Sequence, residues 1–171
     1  MRFHAEQRLR GSKRAIASLL ADPGFYVALQ LPDVRQPEVL ESYQDGSWSV
    51  VRLRYAVDGG HYPILRLLAS SAPLAWLQEV RVDPSAGSGQ LRYEAEFDPV
   101  RLHGAGEFTL TSAQGSTIFR FEGDVTVAVP GIGRLLERQM IRELIHRLDI
   151  EAEALDAQLR RNVRGPRLQD D

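Results

Sequence analysis

The sequence predicts an α+β domain: a curved antiparallel sheet of about six to seven strands, closed by one long C-terminal helix. Two observations carry this. Between Glu38 and Val129, apolar residues recur at every second position in segment after segment, with turn residues between most of them. From Ile132 the repeat changes to that of a helix and holds for about 27 residues. Strands that follow one another without intervening helices pair antiparallel, which excludes a doubly wound sheet.

The elements follow in order. Arg2 to Arg10 alternates, with Phe3, Ala5, Gln7 and Leu9 on one face and Arg2, His4, Glu6, Arg8 and Arg10 on the other. Ser12 caps a short helix whose apolar residues are Ala15, Ile16, Leu19 and Leu20. Asp22 caps a second, with Pro23 at its first position and Phe25, Tyr26 and Leu29 on its inner side. Strands are expected over Glu38–Gln44, which ends at the Asp45-Gly46 turn, then over Trp48–Val57 and Leu74–Val82. On the second of these Val51, Leu53, Tyr55 and Val57 share a face opposite Arg52 and Arg54. After a loop over Pro84–Gly89, the strand Gln90–Phe97 turns Leu91, Tyr93, Ala95 and Phe97 inward. Leu102–Thr111 and Thr117–Val129 form the last pair, joined at Gln114-Gly115, with Phe119, Phe121, Gly123, Val125, Val127 and Val129 on one face.

On the long helix, Ile132, Leu135, Leu136, Met140, Leu144, Leu148, Ala152, Leu155 and Leu159 make an apolar stripe widened by Ile141 and Ile145. Arg138, Arg142, His146, Asp149, Glu153, Asp156 and Arg160 lie opposite, with Glu143–Arg147 and Asp156–Arg160 as supporting pairs. Such a helix is about 40 Å long at 1.5 Å per residue. Six or seven strands make a sheet some 30 Å wide, so the helix crosses all of it. The stripe is wider than the seam of a coiled coil. Residues 1–161 form one domain, and 162–171, with Gly165-Pro166, are expected to be a frayed, disordered tail.

Composition narrows the function classes. The chain has 171 residues, 43% hydrophobic and 26% charged, enough for a substantial core. The net charge of −2 lacks the basic excess of a nucleic-acid binder. There is no cysteine, hence no disulfide, thiolate metal site or cysteine nucleophile. The charged N-terminus is unlike a signal peptide, and no apolar run approaches the roughly 20 residues of a membrane span. A cytoplasmic protein without stable membrane insertion is expected.

Individual motifs are sparse. Val129-Pro-Gly-Ile-Gly resembles a phosphate-binding turn, but Leu136 stands where a third glycine is needed and the parallel setting is missing. It reads as a hinge that folds the helix over the sheet. Ser85 lies in a loop without the strand–Ser–helix context of a nucleophile elbow. His4, His61, His103 and His146 are scattered, and neither metal-ligand spacing nor a cofactor motif is present. Glu79 and Glu107 become acid–base candidates, near His103, only if their strands slip by one residue. Gly59 to Ser70 reads as a packed connector at the sheet edge, or else as a short helix that acts as a lid or touches a membrane surface.

Several stretches together resemble a known family. These are Arg2-Phe-His-Ala-Glu-Gln-Arg, Leu20-Ala-Asp-Pro-Gly-Phe-Tyr, Leu31-Pro-Asp-Val, Leu74-Ala-Trp76 with Glu79, Gly104-Ala-Gly-Glu-Phe108, and Glu122-Gly-Asp-Val-Thr-Val-Ala-Val-Pro-Gly-Ile-Gly. The chain resembles, over nearly its whole length to about Leu159, an uncharacterised domain-of-unknown-function family (2505 type) of the START-like, or SRPBCC, superfamily. The resemblance implies a helix-grip fold with an apolar cavity between sheet and helix, as in superfamily members that bind lipids, sterols, polyketides and hormones. It carries over no catalytic residue.

Inward aromatic residues with polar tips suit an apolar ligand that needs orienting. Tyr55, Trp76, Tyr93, Phe97, Phe108, Phe119 and Phe121, roofed by Met140 and Leu144, are therefore the candidate ligand-binding residues. Ala95, Gly104, Gly106 and Gly123 are expected to leave room above the sheet. The expected function is binding of a hydrophobic small molecule or lipid. The alternatives are a cyclase, aromatase or dehydratase in the same cavity, and an interaction module without a ligand.

Overall fold

Alternation in sequence becomes alternation in burial along the first strand, β1 (Arg2–Leu9), where Ala5 and Leu9 are buried and the charged residues face out. The computed structural model describes residues 1–32, 34–57 and 75–163. After β1 come α1 (Lys13–Leu20) and α2 (Pro23–Ala28), then β2 (Glu38–Asp45), β3 (Trp48–Ala56), β4 (Ala75–Asp83), β5 (Ser88–Ala95), β6 (Leu102–Ala113) and β7 (Ser116–Val127), and finally α3 (Gly133–Val163). The expected segment Gly59 to Ser70, with His61, lies outside the described residues, as does most of the expected tail. The helix runs on to Val163, past the domain end expected at 161.

The seven strands form one antiparallel sheet in the order β1-β7-β6-β5-β4-β3-β2. The chain thus starts at one edge and returns at the other after two helices. Ser12 Oγ accepts from the Ala15 amide and Asp22 Oδ1 from the Gly24 amide, so both helices start at the residues expected to cap them. The far-edge strand β2 is exposed throughout, and Val39, Leu40 and Tyr43 on it face solvent.

Several boundaries move by one or two residues, and two of the shifts have a clear cause. β5 begins at Ser88, inside the expected loop, because Gly89 pairs with Phe108 and leaves space for its ring: a Cβ there would lie 2.1 Å from Phe108 Cζ. β7 stops at Val127, where Glu137 Oε1 accepts the strand's last amide at 3.2 Å. The next residues form the expected hinge. Gly131 takes a φ of +80°, and the Gly133 amide donates to Val129 O at 2.9 Å.

On α3, Leu136, Leu155 and Leu159 are buried, but Ile132 and Leu135 are 39% and 59% exposed. The expected stripe therefore starts too early. Leu136 takes the inward position of the first turn, and the other two flank it. The expected ion pairs also change. Arg147 pairs with Glu151 rather than Glu143, because its side chain turns in over Tyr55. Asp156 accepts the Arg10 backbone amide, so Arg160 Nε bonds the Asp156 carbonyl instead of its carboxylate.

The main core lies where α1 and the C-terminal half of α3 meet the sheet. Ile16, Leu20, Phe25, Tyr26, Phe108, Phe119, Phe121, Leu155 and Leu159 pack there. A second cluster, of Tyr93, Ala95, Leu102, Val125, Val127 and Leu136, lies under the start of α3.

Candidate functional site

The inner face of the sheet is a set of rows fixed by register. One runs Tyr55–Trp76–Ala95 and the next Leu53–Gln78–Tyr93–Gly104–Val125. Tyr93 leans over the bare backbone of Gly104, where a Cβ would lie 2.1 Å from its hydroxyl oxygen. Its hydroxyl donates a long bond, 3.4 Å, to Asp124 O, and burial pushes its pKa well above the usual tyrosine value.

Over these rows lies a cavity of about 290 Å³. The sheet side is Trp76, Gln78, Tyr93 and Ala95, continued by Phe97 and Leu102. The helix side is Met140, Glu143, Leu144, Arg147 and Ile150, with His146 exposed at the rim. Leu31, Pro32, Val34, Val57 and Ala75 form the third wall. A void of about 20 Å³ adjoins it and shares Gln78, Tyr93, Leu144 and Arg147, with Phe121 and Glu151 also on its wall.

Of the nine sequence-predicted residues, Trp76, Tyr93, Phe97, Met140 and Leu144 line the cavity. Tyr55 lies behind it, its ring stacked on Trp76 at 5.0 Å and 9°. Phe108 and Phe119 stack on each other at 5.2 Å in the main core. Phe121 packs on Phe3 at 5.5 Å and reaches only the small void. The glycines expected to leave room are covered by these rings. A Cβ on Gly106 or Gly123 would lie 2.2 or 2.7 Å from Phe121.

The polar members of the lining lie outside the sequence-predicted set. Gln78 is buried, and the alternation Trp76, Gln78, Val80, Val82 along β4 was the available signal. Arg147, expected only as the partner of Glu143, places its guanidinium carbon 4.4 Å from the centre of the Tyr55 ring and 5.8 Å from that of Trp76. Its Nε donates to Glu151 Oε1 at 2.9 Å. Burial works against its charge, but Tyr55 and Glu151 more than offset this, and its pKa is raised. The Arg147 and Tyr55 side chains lie close enough to attract each other, but Arg147 Nη2 and the Tyr55 hydroxyl, both buried, do not meet in good hydrogen-bond geometry and have no other partner among the described residues.

The remaining candidates lie elsewhere. Glu79 faces outward beside Arg52, at 3.7 Å, and Glu107 accepts from Gln90 at 3.3 Å on the same outer face. His103 is exposed, with Nδ1 3.0 Å from Pro99 O. No group of three metal-ligating side chains exists among the described residues. Nor is any described helix long and apolar enough to cross a membrane. A larger groove of about 900 Å³ crosses the outer face, but Arg2, Arg92, Glu107, Arg120, Glu122 and Asp124 line it, which suits water better than an apolar ligand.

Comparisons with known proteins agree with this architecture. A family profile described as "Protein of unknown function (DUF2505)" matches residues 6–159. No curated protein matches. Among solved structures, the Zhui aromatase/cyclase from a Streptomyces species is similar at a TM-score of 0.64 and 15% identity, over 96% of each chain. The protein TTHA0849 from Thermus thermophilus is similar at a TM-score of 0.62 and 16% identity, over 92% of this chain and 95% of that one. A START superfamily protein from Mycobacterium smegmatis is similar at 0.57 and 18%, also over 92% and 95%. At these identities the likeness is one of fold, the START-like helix-grip fold.

Proposed function

We propose that this chain, which belongs to the DUF2505 family of proteins of unknown function, binds a hydrophobic small molecule or lipid between its sheet and α3. The observation that carries this is the cavity of about 290 Å³, whose wall includes Trp76, Tyr93, Phe97, Met140 and Leu144. A void of about 150 Å³ already admits benzene. Twice that suits a compact molecule of one or two rings, or part of one acyl chain, better than a whole two-chain lipid. In this reading the five residues contact the ligand, Tyr55 backs Trp76, and Phe108, Phe119 and Phe121 form the rigid floor beyond. The net charge of −2 and the lack of cysteine support a cytoplasmic binder with no nucleic-acid partner.

Native mass spectrometry of protein purified from its own host tests the proposal. The expected result is an adduct that organic solvent releases as a small apolar molecule. A bare polypeptide mass, together with no binding of the neutral probe 1-aminoanthracene, would overturn it.

A cyclase, aromatase or dehydratase working in the same cavity is the second reading. It is favoured by Glu143 and His146, two proton-transfer groups three residues apart on one cavity wall. It predicts that the protein converts a linear poly-β-ketone to a ring product and that Glu143→Gln stops this conversion. Binding of such a chain without turnover would rule it out.

A further inference from the structure

The inner end of the cavity holds hydrogen-bonding groups that the protein leaves unspent. Of the guanidinium nitrogens of Arg147, Nε is committed to Glu151 at 2.9 Å, whereas Nη2 is buried without a partner. Across from it on β4, the side-chain amide of Gln78, a residue 5% exposed, lies in the same cavity wall. Both residues line the main cavity and the small void behind it, so they stand together where the two join. Buried donors are normally satisfied, and exceptions point to a missing acceptor or to function.

Charge narrows what that acceptor is. Glu151 already balances Arg147. Glu143, one turn earlier on the same wall, adds a second carboxylate. An anionic group at this point meets two carboxylates against one guanidinium, and an ammonium group has no lone pair with which to accept from the guanidinium N–H groups. A neutral oxygen takes the free N–H groups and brings no charge into a low-dielectric site.

We infer that the ligand of this cavity presents an uncharged oxygen, the carbonyl or hydroxyl of an otherwise apolar molecule, to the guanidinium of Arg147 and the amide of Gln78. This inference rests on the binding reading above. Trp76 and Tyr55, which hold the guanidinium from its ring side, fix its direction.

Four probes of matched shape separate the possibilities by calorimetric titration: 2-ethylnaphthalene, 2-acetylnaphthalene, 2-naphthoate and 2-(aminomethyl)naphthalene. The ketone is expected to bind about tenfold more tightly than the hydrocarbon, and the acid and the amine no more tightly than the hydrocarbon. Arg147→Met should abolish the preference, so that the variant binds ketone and hydrocarbon equally. Gln78→Met should narrow the preference to a smaller degree, and it serves if Arg147→Met does not fold. Equal binding of ketone and hydrocarbon by the unmodified protein overturns this inference while the binding reading stands. Tightest binding of the acid or the amine overturns it as well. Binding of none of the four overturns both.

Discussion

The two ends of the inner sheet face are built from the same residue types and do opposite things. At the end under α1 and the last turns of α3, every space the backbone opens is filled by the protein itself. A Cβ on Gly11 would meet Leu159 at 2.7 Å, and one on Gly89 would meet Phe108 at 2.1 Å. At the other end, under the middle of α3, Trp76 and Tyr93 stand beside small or flexible neighbours such as Ala95 and Met140, and a cavity remains. What separates the ends is the helix. Its C-terminal half sends Leu155 and Leu159 fully into the sheet, whereas its middle presents half-buried Met140, Leu144 and Arg147. A side chain that stops short of its neighbours leaves volume, and close packing elsewhere keeps that volume from collapsing.

The comparison breaks most readily at the packed end. Phe121→Ala is expected to cost about 3–5 kcal/mol in urea unfolding, as for other fully buried rings, whereas Met140→Ala should cost about 1 kcal/mol or less. Gly106→Ala comes next, at about 1–3 kcal/mol, because its Cβ needs space that Phe121 and Glu122 O occupy. Equal losses at both ends would mean that they are packed alike.

Alkaline pH probes the packed end in a graded way. Burial holds the Tyr26 phenol well above its usual pKa of 10.0, and its hydroxyl donates to Leu20 O at 2.8 Å. The unfolded chain therefore releases this proton first. The stabilisation is complete below about pH 10 and declines above it, by about 1.4 kcal/mol at pH 11. Tyr26→Phe should flatten the fall of melting temperature over that interval by a matching amount. An unchanged slope would show that the phenol is accessible.

The smallest stability effect belongs to the cavity end. Ala95→Leu adds atoms where there is open volume, so unfolding should shift by less than about 1 kcal/mol. The same change should weaken binding of 1-aminoanthracene at least tenfold. A loss as large as that of Gly106→Ala would mean that Ala95 has no free space beside it.

Much of the fold was legible from local rules. Period-two runs placed the strands, Ser12 and Asp22 placed two helix starts, and Pro130 to Gly133 placed the hinge. The site was legible only in its apolar half. Trp76, Tyr93, Phe97, Met140 and Leu144 followed from alternation and helical period, which report the face of an element. They do not report depth along that face, so Phe108 and Phe119 were indistinguishable from cavity residues. Arg147 escaped because sequence spacing assigned it to Glu143. Its inward turn depends on Tyr55 and Trp76, which lie far away in sequence and side by side in register.

The most direct test of the central claim uses the protein's two methionines, Met1 and Met140. Only Met140 lines the cavity. With both methyl groups labelled with carbon-13, titration with 2-acetylnaphthalene should move the Met140 methyl resonance saturably and leave that of Met1 in place. A Met140 resonance that stays fixed to the solubility limit of the probe would contradict binding between sheet and helix.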